Sequence, residues 1–270
     1  MKTIDALARG LEVLRSLDER RGQSLAELHR VTGVPKASLL RILDTLEQGG
    51  FAWRAIGDRR YRRRVSLIFR PGIDDALLGI GEIAAPFLES LRMKVIWPSD
   101  VLVHRNFRME LVETSRRQSA LNVAVYAIGY RVEMFLSAPG RAFLAFCNDA
   151  ERAAILADAA AHPPQLVRAR QVLAGELPAI LDETRRLGYA SRDPLFGGTE
   201  DKPIHVHDDG IDAIAVPAVA NGKVLACVNL VWPRKYRLKA QIVADHLGDL
   251  QDAAGAIAAA AARAPKRSTE

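Results

Sequence analysis

Five arginines crowd six positions in the stretch Gly57-Asp58-Arg59-Arg60-Tyr61-Arg62-Arg63-Arg64. Guanidinium groups at that density neutralise phosphates, so the chemistry on offer is recognition of a polyanion. A second set lies just upstream, where Lys36, Ala37, Ser38 and Arg41 fall within a run of six residues. Lysine and arginine donate to guanine O6 and N7, serine meets several base edges, and an alanine methyl packs on a thymine methyl.

Other constellations carry different chemistry. Arg192-Asp193 is either a bidentate clamp for a ligand carboxylate or an internal ion pair. His205-x-His207-Asp208-Asp209 sets two imidazoles on one side of an extended segment, a pattern that holds a metal or forms a solvated turn. The solvated turn is preferred, and no metal is expected. Gly79-x-Gly81-x-x-Ala84 formally fits a dinucleotide fingerprint, which needs a buried strand before its first glycine. Asp74-Asp75 is a poor strand and would repel phosphate, so the glycines read instead as loosening an interdomain helix, and no cofactor is expected. There is no G-x-S-x-G elbow, P-loop or H-E-x-x-H, and the six histidines are scattered. The chain is therefore not expected to be an enzyme.

Charge is distributed unevenly. Of the net +6, residues 1–70 carry +7 and the remainder −1, which points to a polyanion-binding module attached to a neutral one. The 270 residues suffice for about two domains. Cys147 and Cys227 are too few and too far apart in sequence for a disulfide framework or a zinc cluster. No apolar run approaches membrane-spanning length and no signal peptide is visible, so the expectation is a soluble, cytoplasmic protein without a membrane partner.

Three helical patterns must position the basic residues. Ile4, Leu7, Leu11, Leu14 and Leu17 form an amphipathic stripe. Ser24-Leu25-Ala26-Glu27 is a capping box that opens a second helix, expected to bury Leu28 and Val31 and to stop at Gly33. Pro35 then introduces a helix over Lys36 to Gln48 with Leu39, Ile42, Leu43 and Leu46 on its buried side. Helix, short glycine turn and helix make a helix-turn-helix, whose second helix offers its N-terminal turn to the major groove. After Gly49-Gly50, Phe51 and Trp53, then Tyr61 and Arg63, alternate across a turn at Ile56-Gly57-Asp58. That is a β-hairpin, and in this position a wing, whose arginines are expected to reach phosphates or a minor groove.

The run LARGLEVLRSLDERRGQSLAELHRVTGVPKASLLRILDTLEQGGFAWR followed by RRYR resembles the DNA-binding region of the IclR family of bacterial transcription regulators. VEMFLSAPGRAFLAFC, LGYASRD and IDAIAVPAVANGKVLACVNLVW resemble the same family's second domain more loosely. WPSD, LAFCNDAER and CVNLVW resemble a subgroup that controls breakdown of aromatic acids such as hydroxyphenylpropionates. The resemblance implies an α+β protein: a winged helix-turn-helix, a linker helix, and a GAF-like α/β effector-binding domain with an antiparallel sheet. It also implies homodimers or homotetramers on palindromic operator DNA. DNA contacts would carry over to Arg9, Ser24, Lys36, Ala37, Ser38 and Arg41, with Arg59, Arg60 and Arg62 on the wing. The corresponding domains are 1–72 for the DNA-binding head, 73–94 for the linker helix, 95–262 for the effector domain and 263–270 for a charged tail.

Pro71-Gly72 breaks the chain after the wing, and Leu77, Leu78, Ile80, Ile83, Ala84, Phe87, Leu88 and Leu91 form a helical stripe that Pro86 should kink or divide. Ser99 to Asn106 and Glu110 to Ser115 read as paired strands. Helices are expected over Arg141 to Cys147, extended by Asp149 to Ala160, and over Gly175 to Leu187. Asp212 to Val219 and Lys223 to Trp232 flank an Asn221-Gly222 hairpin turn, and Leu238 to Ala262 is helical. Strands in hairpins with flanking helices make an antiparallel α+β domain.

On the last strand Asn229 sits among apolar neighbours on both faces, and a buried amide needs a partner. The resemblance places this strand's polar position at the effector pocket, although a bond to a neighbouring loop is an equal alternative. Ser137-Ala138, ahead of the Pro139-Gly140 turn, offers backbone N–H groups suited to a carboxylate. Trp97, Val101 and Phe196 are candidates for an apolar wall, and Arg192, Asp193, Ala213, Cys227 and Val231 complete the candidate effector set. The reading is a sequence-specific DNA-binding regulator that responds to a small organic acid, an aromatic carboxylate by the resemblance. Its alternatives are an enzyme with a DNA-binding head and an architectural DNA-binding protein.

Overall fold

The computed structural model of the chain describes residues 4–18, 21–64, 79–119, 121, 123 and 125–263. The Pro71-Gly72 break, Leu77 and Leu78, and the tail beyond 263 lie outside these residues.

The head opens with α1 (Asp5–Ser16), α2 (Leu25–Thr32) and α3 (Lys36–Gln48). The capping box forms: the Glu27 amide donates to the Ser24 hydroxyl at 3.3 Å, and the Glu27 carboxylate accepts from the Ser24 amide at 2.7 Å. Such a cap stabilises a helix by about 1 kcal/mol. Gly33 ends α2 in the left-handed region at φ 67°. Val13, Leu17, Leu28, Val34, Leu39 and Leu43 form the head's core with Ala52 and Tyr61. Two expectations fail here. Ile4, Leu7 and Leu11 are 69, 57 and 47% exposed, because α1 turns Val13 inward and leaves its leading apolar edge uncovered. Val31 is likewise exposed, since α2 turns Leu28, with Leu25 partly buried beside it, toward the core.

Strands β1 (Ala52–Arg54) and β2 (Tyr61–Arg63) pair antiparallel, with Trp53 opposite Arg62, and Gln23 adds a bridge to Tyr61. The hairpin is present, as its alternation predicts. Helix α4 (Ile80–Lys94) follows as one continuous helix with Pro86 inside it, so the proline does not divide it. Gly81 does not loosen this helix. It is buried where an added Cβ would stand 2.7 Å from the Val112 carbonyl oxygen, so the glycine permits close packing.

The second domain is built on one antiparallel sheet in the order β5-β4-β3-β8-β7-β6. Its strands are β3 (Ser99–Arg105), β4 (Arg108–Thr114), β5 (Arg131–Val132), β6 (Ala190–Ser191), β7 (Ile211–Ala220) and β8 (Lys223–Pro233). Asn221 and Gly222 both take positive φ, 51° and 72°, which a two-residue turn of this hand requires. α5 (Ala138–Phe146) and α6 (Asp149–Ala161) are separate helices, because Asn148 caps the second with its own capping box. α7 (Val167–Gln171), a π turn at Val172–Glu176 and α8 (Leu177–Leu187) run on without a break in helical backbone, so this segment starts earlier than Gly175. The long α9 (Lys239–Arg263) closes the domain.

The sheet divides two cores. Helices α4 and α9 cover one face over Val101, Val103, Val216, Val228 and Trp232. Helix α5, with α6 and α8 behind it, covers the other over Leu102, Leu111, Ala215 and Cys227. None of the helices among the described residues is long and apolar enough to cross a membrane.

Candidate functional site

Two regions gather most of the expected site residues. The first is the outer surface of α3. Lys36, Ala37 and Arg41 are exposed on one side of that helix, and Ser38 is half-buried beside them. The side opposite them is pinned by Leu39 and Leu43, so rotation of α3 is fixed by the core and its polar face by default points outward. Arg9 is exposed on α1. The Ser24 hydroxyl is committed to the cap of α2.

The wing arginines divide in a way that their sequence does not disclose. Arg59 is exposed at the turn, with an unusual positive φ of 60°. Arg60 donates to the Gly22 carbonyl at 2.9 Å and to Glu27 at 3.0 Å, which draws it back onto the head. Arg62 corrects the expectation of a phosphate contact: it is only 2% exposed and grips Asp58 through both terminal nitrogens, at 2.9 and 2.6 Å, next to Trp53. A guanidinium already desolvated and doubly bonded to a carboxylate is a structural element of the hairpin.

The second region is a cavity of about 50 Å³ between the N-terminus of α5 and the sheet. Of the expected effector residues, Ser137, Ala138, Arg192, Phe196, Ala213, Asn229 and Val231 line it. Trp97 and Val101 do not: both lie in the core under α4 and α9, on the opposite face of the sheet. Cys227 is buried in the core beneath α5 without reaching the cavity lining. Asp193 is also turned away. It pairs with Arg141 at 2.7 Å and with Arg168 at 3.0 Å, and although burial opposes ionisation these arginines and the Leu195 amide hold its carboxyl below the ordinary range.

Arg192 pairs instead with Asp209, at 3.0 and 2.8 Å through its two terminal nitrogens, and donates to the Phe196 carbonyl at 2.7 Å. Its guanidinium lies 4.8 Å from the Phe196 ring centre. Across the cavity Arg116 grips Asp100, with bonds of 2.9 Å from Nε and 2.7 Å from Nη2. Burial lowers the pKa of Arg116, but the charge of Asp100 outweighs it and the net shift is upward, so this arginine stays charged. Tyr126 and Tyr130 stack with ring centres 4.1 Å apart, and Arg116 sits 4.8 Å from the Tyr126 centre. Asn229 finds its partner in the sheet: its Oδ1 accepts the Asp100 amide at 2.9 Å.

The residues that the sequence did not mark are Asp100, Arg116, Tyr126, Tyr130 and Asp209, together with the aliphatic Leu102, Leu111 and Val132. They are scattered over more than a hundred positions, and only the His205-x-His207-Asp208-Asp209 string drew attention to any of them. That string gives no metal cluster among the described residues. Asp208 pairs with Arg234 and Asp209 with Arg192.

The arrangement offers two guanidinium groups, two aspartates and two stacked phenols around a cavity of about 50 Å³. That is below the ~300–1,000 Å³ usual for small-molecule sites, so a ring enters only as the lining side chains move apart. A winged helix-turn-helix head joined to a domain with such a cavity defines a ligand-responsive transcriptional regulator. Residues 6–54 match the IclR helix-turn-helix domain, and residues 76–259 match the bacterial transcriptional regulator IclR C-terminal domain. The chain belongs to the IclR family of transcriptional regulators, which act on transcription and are not enzymes. Solved structures agree on the fold. A transcriptional regulator from Rhodococcus sp. RHA1 is 25% identical with a TM-score of 0.53, over 96% of this chain and 99% of its own. The Thermotoga maritima IclR is 17% identical with a TM-score of 0.53, over 96 and 100% of the two chains. An IclR homolog from Microbacterium hydrocarbonoxydans, solved in complex with 4-hydroxybenzoate, is 22% identical with a TM-score of 0.51, over 96 and 100%.

Proposed function

We propose that this regulator binds operator DNA through Lys36, Ala37, Ser38 and Arg41 in the major groove, with Arg9 and Arg59 on phosphates, and that an aromatic carboxylate in the cavity changes that binding. The observation that carries the effector reading is the pairing of stacked Tyr126 and Tyr130 with Arg116 and Arg192 around one cavity. A ring meets the aromatic and aliphatic wall of Leu102, Leu111, Tyr126 and Val132. The carboxylate meets arginines whose planar forks suit it, with the Ala138 amide at the start of α5 as a further donor. Both arginines are already neutralised by aspartates, so the acid competes for a donor rather than entering an uncompensated charge, and its affinity is set by that exchange. The ligand of the Microbacterium homolog, 4-hydroxybenzoate, is of this chemical class.

The exposed edge of Ile4, Leu7 and Leu11 on α1 supports assembly through a second copy of the chain, as a homodimer or higher oligomer on a palindromic site in the cytoplasm. Paired heads then read half-sites about one helical turn, ~34 Å, apart. The domain limits that go with this reading are 1–72, 73–94 and 95–262, with a charged tail after them.

Calorimetric titration with 4-hydroxybenzoate and 3-hydroxyphenylpropionate, against phenol and cyclohexanecarboxylate, tests the effector reading. Saturable binding of the aromatic acids, weakened at least tenfold in Arg116→Ala or Arg192→Ala, is expected. Equal binding of phenol, or binding indifferent to both substitutions, would contradict it.

A further inference from the structure

The Ile56-Gly57 side of the DNA-binding hairpin's turn is covered by the second domain, while Arg59 stays exposed. Gly57 is buried, and its amide donates to Glu113 Oε1 at 2.9 Å, while the Ile56 amide reaches Glu113 Oε2 at 3.3 Å. The Gln118 side-chain amide donates to the Ile56 carbonyl. The second domain thus holds the Ile56 backbone at both its N–H and its C=O. A Cβ added at Gly57 would stand 2.4 Å from Thr114 Cγ2, so the fit is close.

The seat exists because β4 is irregular at this point. Val101 lies opposite Glu113 while Leu102 lies opposite Leu111, which leaves Val112 as an extra residue. A bulge of this kind re-aims the side chains that follow it. Glu113 is sent to the hairpin, and the Thr114 hydroxyl to Asp100, which lines the effector cavity. The Thr114 hydroxyl donates to Asp100 Oδ1 at 2.6 Å and accepts the Arg116 amide at 3.2 Å. Asp100 is the carboxylate that Arg116 grips in the cavity wall. The Val112 carbonyl is the group against which Gly81 of α4 packs. Pocket, hairpin and interdomain helix therefore meet at three consecutive residues.

We propose that Glu113 is a latch holding the hairpin turn against the second domain, and that a carboxylate ligand loosens it by drawing Arg116 away from Asp100. The proposal rests on the reading that the cavity takes such a ligand. Asp100 and its bond from Thr114 are stable in this arrangement because Arg116 neutralises the aspartate. When the guanidinium turns to a ligand, Asp100 loses its charge partner and the Thr114 end of β4 loses its tie. The latch then opens more often, and a turn that is covered by protein becomes free to meet DNA. The ligand moves this equilibrium only by binding the open form more tightly. Coupling between the cavity and the turn is what the experiment reads.

Amide hydrogen exchange is followed on the full chain in the peptide covering residues 55–58, with the Asn221-Gly222 hairpin as an internal reference. Glu113→Ala should speed exchange at 55–58 at least tenfold. Arg116→Gln, at a side chain that grips Asp100 while Glu113 holds the Ile56-Gly57 backbone, should speed it at least fivefold, and the double variant should be no faster than Glu113→Ala alone. Thr114→Val, which removes the hydroxyl and keeps the shape, serves if Arg116→Gln does not fold. Exchange at 55–58 within twofold of wild type in the Arg116 or Thr114 variant, or strict multiplicativity in the double variant, would overturn the latch. Saturating 4-hydroxybenzoate should reproduce the acceleration in wild type. Variants that accelerate exchange while the acid fails to bind would leave the latch in place and sink the effector reading. An acid that binds with no change at 55–58 would do the reverse.

Discussion

Arg192 pairs with Asp209, seventeen residues away, and not with its neighbour Asp193. The two aspartates thereby take different jobs: Asp209 sets the arginine at the cavity wall, and Asp193 ties α5 to α7 through Arg141 and Arg168. The loop that brings Asp209 back depends on Gly198, at φ 98°, where a Cβ would stand 2.2 Å from Asp209 Oδ2.

Gly198→Ala should therefore displace Asp209 and weaken binding of 4-hydroxybenzoate at least tenfold, about 1.4 kcal/mol. Gly210→Ala is the control, because Gly210 also has positive φ, 68°, but nothing lies within 4 Å of its Cβ position. It should lower stability by about 1 kcal/mol through backbone strain while leaving affinity within twofold. Calorimetry and thermal melting of the two variants separate these effects. Equal loss of affinity in both would show that the pocket geometry is not what Gly198 protects.

Substitutions in the head should fall into three kinds. Arg41→Ala should relax discrimination at one base position by about 1–3 kcal/mol. Arg59→Ala should weaken all sequences alike and reduce the salt slope by about 0.9. Arg62→Ala should behave as neither: it strands Asp58, whose carboxyl Arg62 holds below its ordinary range against the opposing effect of burial, and the melting temperature should fall. Selection of bound sequences from a random pool, salt titrations and melting curves read the three outcomes. A normal melting temperature with a reduced salt slope for Arg62→Ala would put Arg62 on DNA.

Two carboxyls give the protein a pH dependence of known sign. Burial pushes Glu113 and Glu133 up to about 7, against backbone N–H donors that favour the charged form: Thr114, Gly57 and Ile56 for Glu113, and Phe135 and Leu136 for Glu133. Arg62 lowers the first further, while Glu200 raises and Arg108 lowers the second. Between about 4.5 and about 7 the folded chain keeps protons that the unfolded chain has lost, so stability should fall as pH rises through that window. Glu113→Gln and Glu133→Gln should each flatten the decline in urea midpoint between pH 5 and 8. A decline unchanged in both variants would place its origin elsewhere.

The elements of the head are legible in sequence because their signals are local. Ser24 and Glu27 form the box three residues apart, Gly33 ends its own helix, and Leu39 and Leu43 mark the buried side of α3. The fate of the arginines is not legible, since whether Arg59 or Arg62 faces water depends on which residue Asp58 reaches across the turn. The cavity is harder still. Trp97 and Val101 are read as an apolar wall for a ring, but apolar character does not say which face a side chain takes; the sheet puts Asp100 and Leu102 on the cavity side and Val101 on the other. Asp100, Arg116, Tyr126 and Asp209 converge only when four separate segments fold together. The short strings Ser137-Ala138 and Asn229 were readable because a helix start and a buried amide each demand something nearby.

The most direct test of the account measures binding of the purified protein to DNA upstream of its own gene, with and without 3-hydroxyphenylpropionate, at two salt concentrations. The account predicts sequence-specific binding whose affinity changes when the acid is present, and whose specificity over unrelated DNA survives the higher salt. Weak binding to every fragment, lost at higher salt and indifferent to the acid, would contradict it.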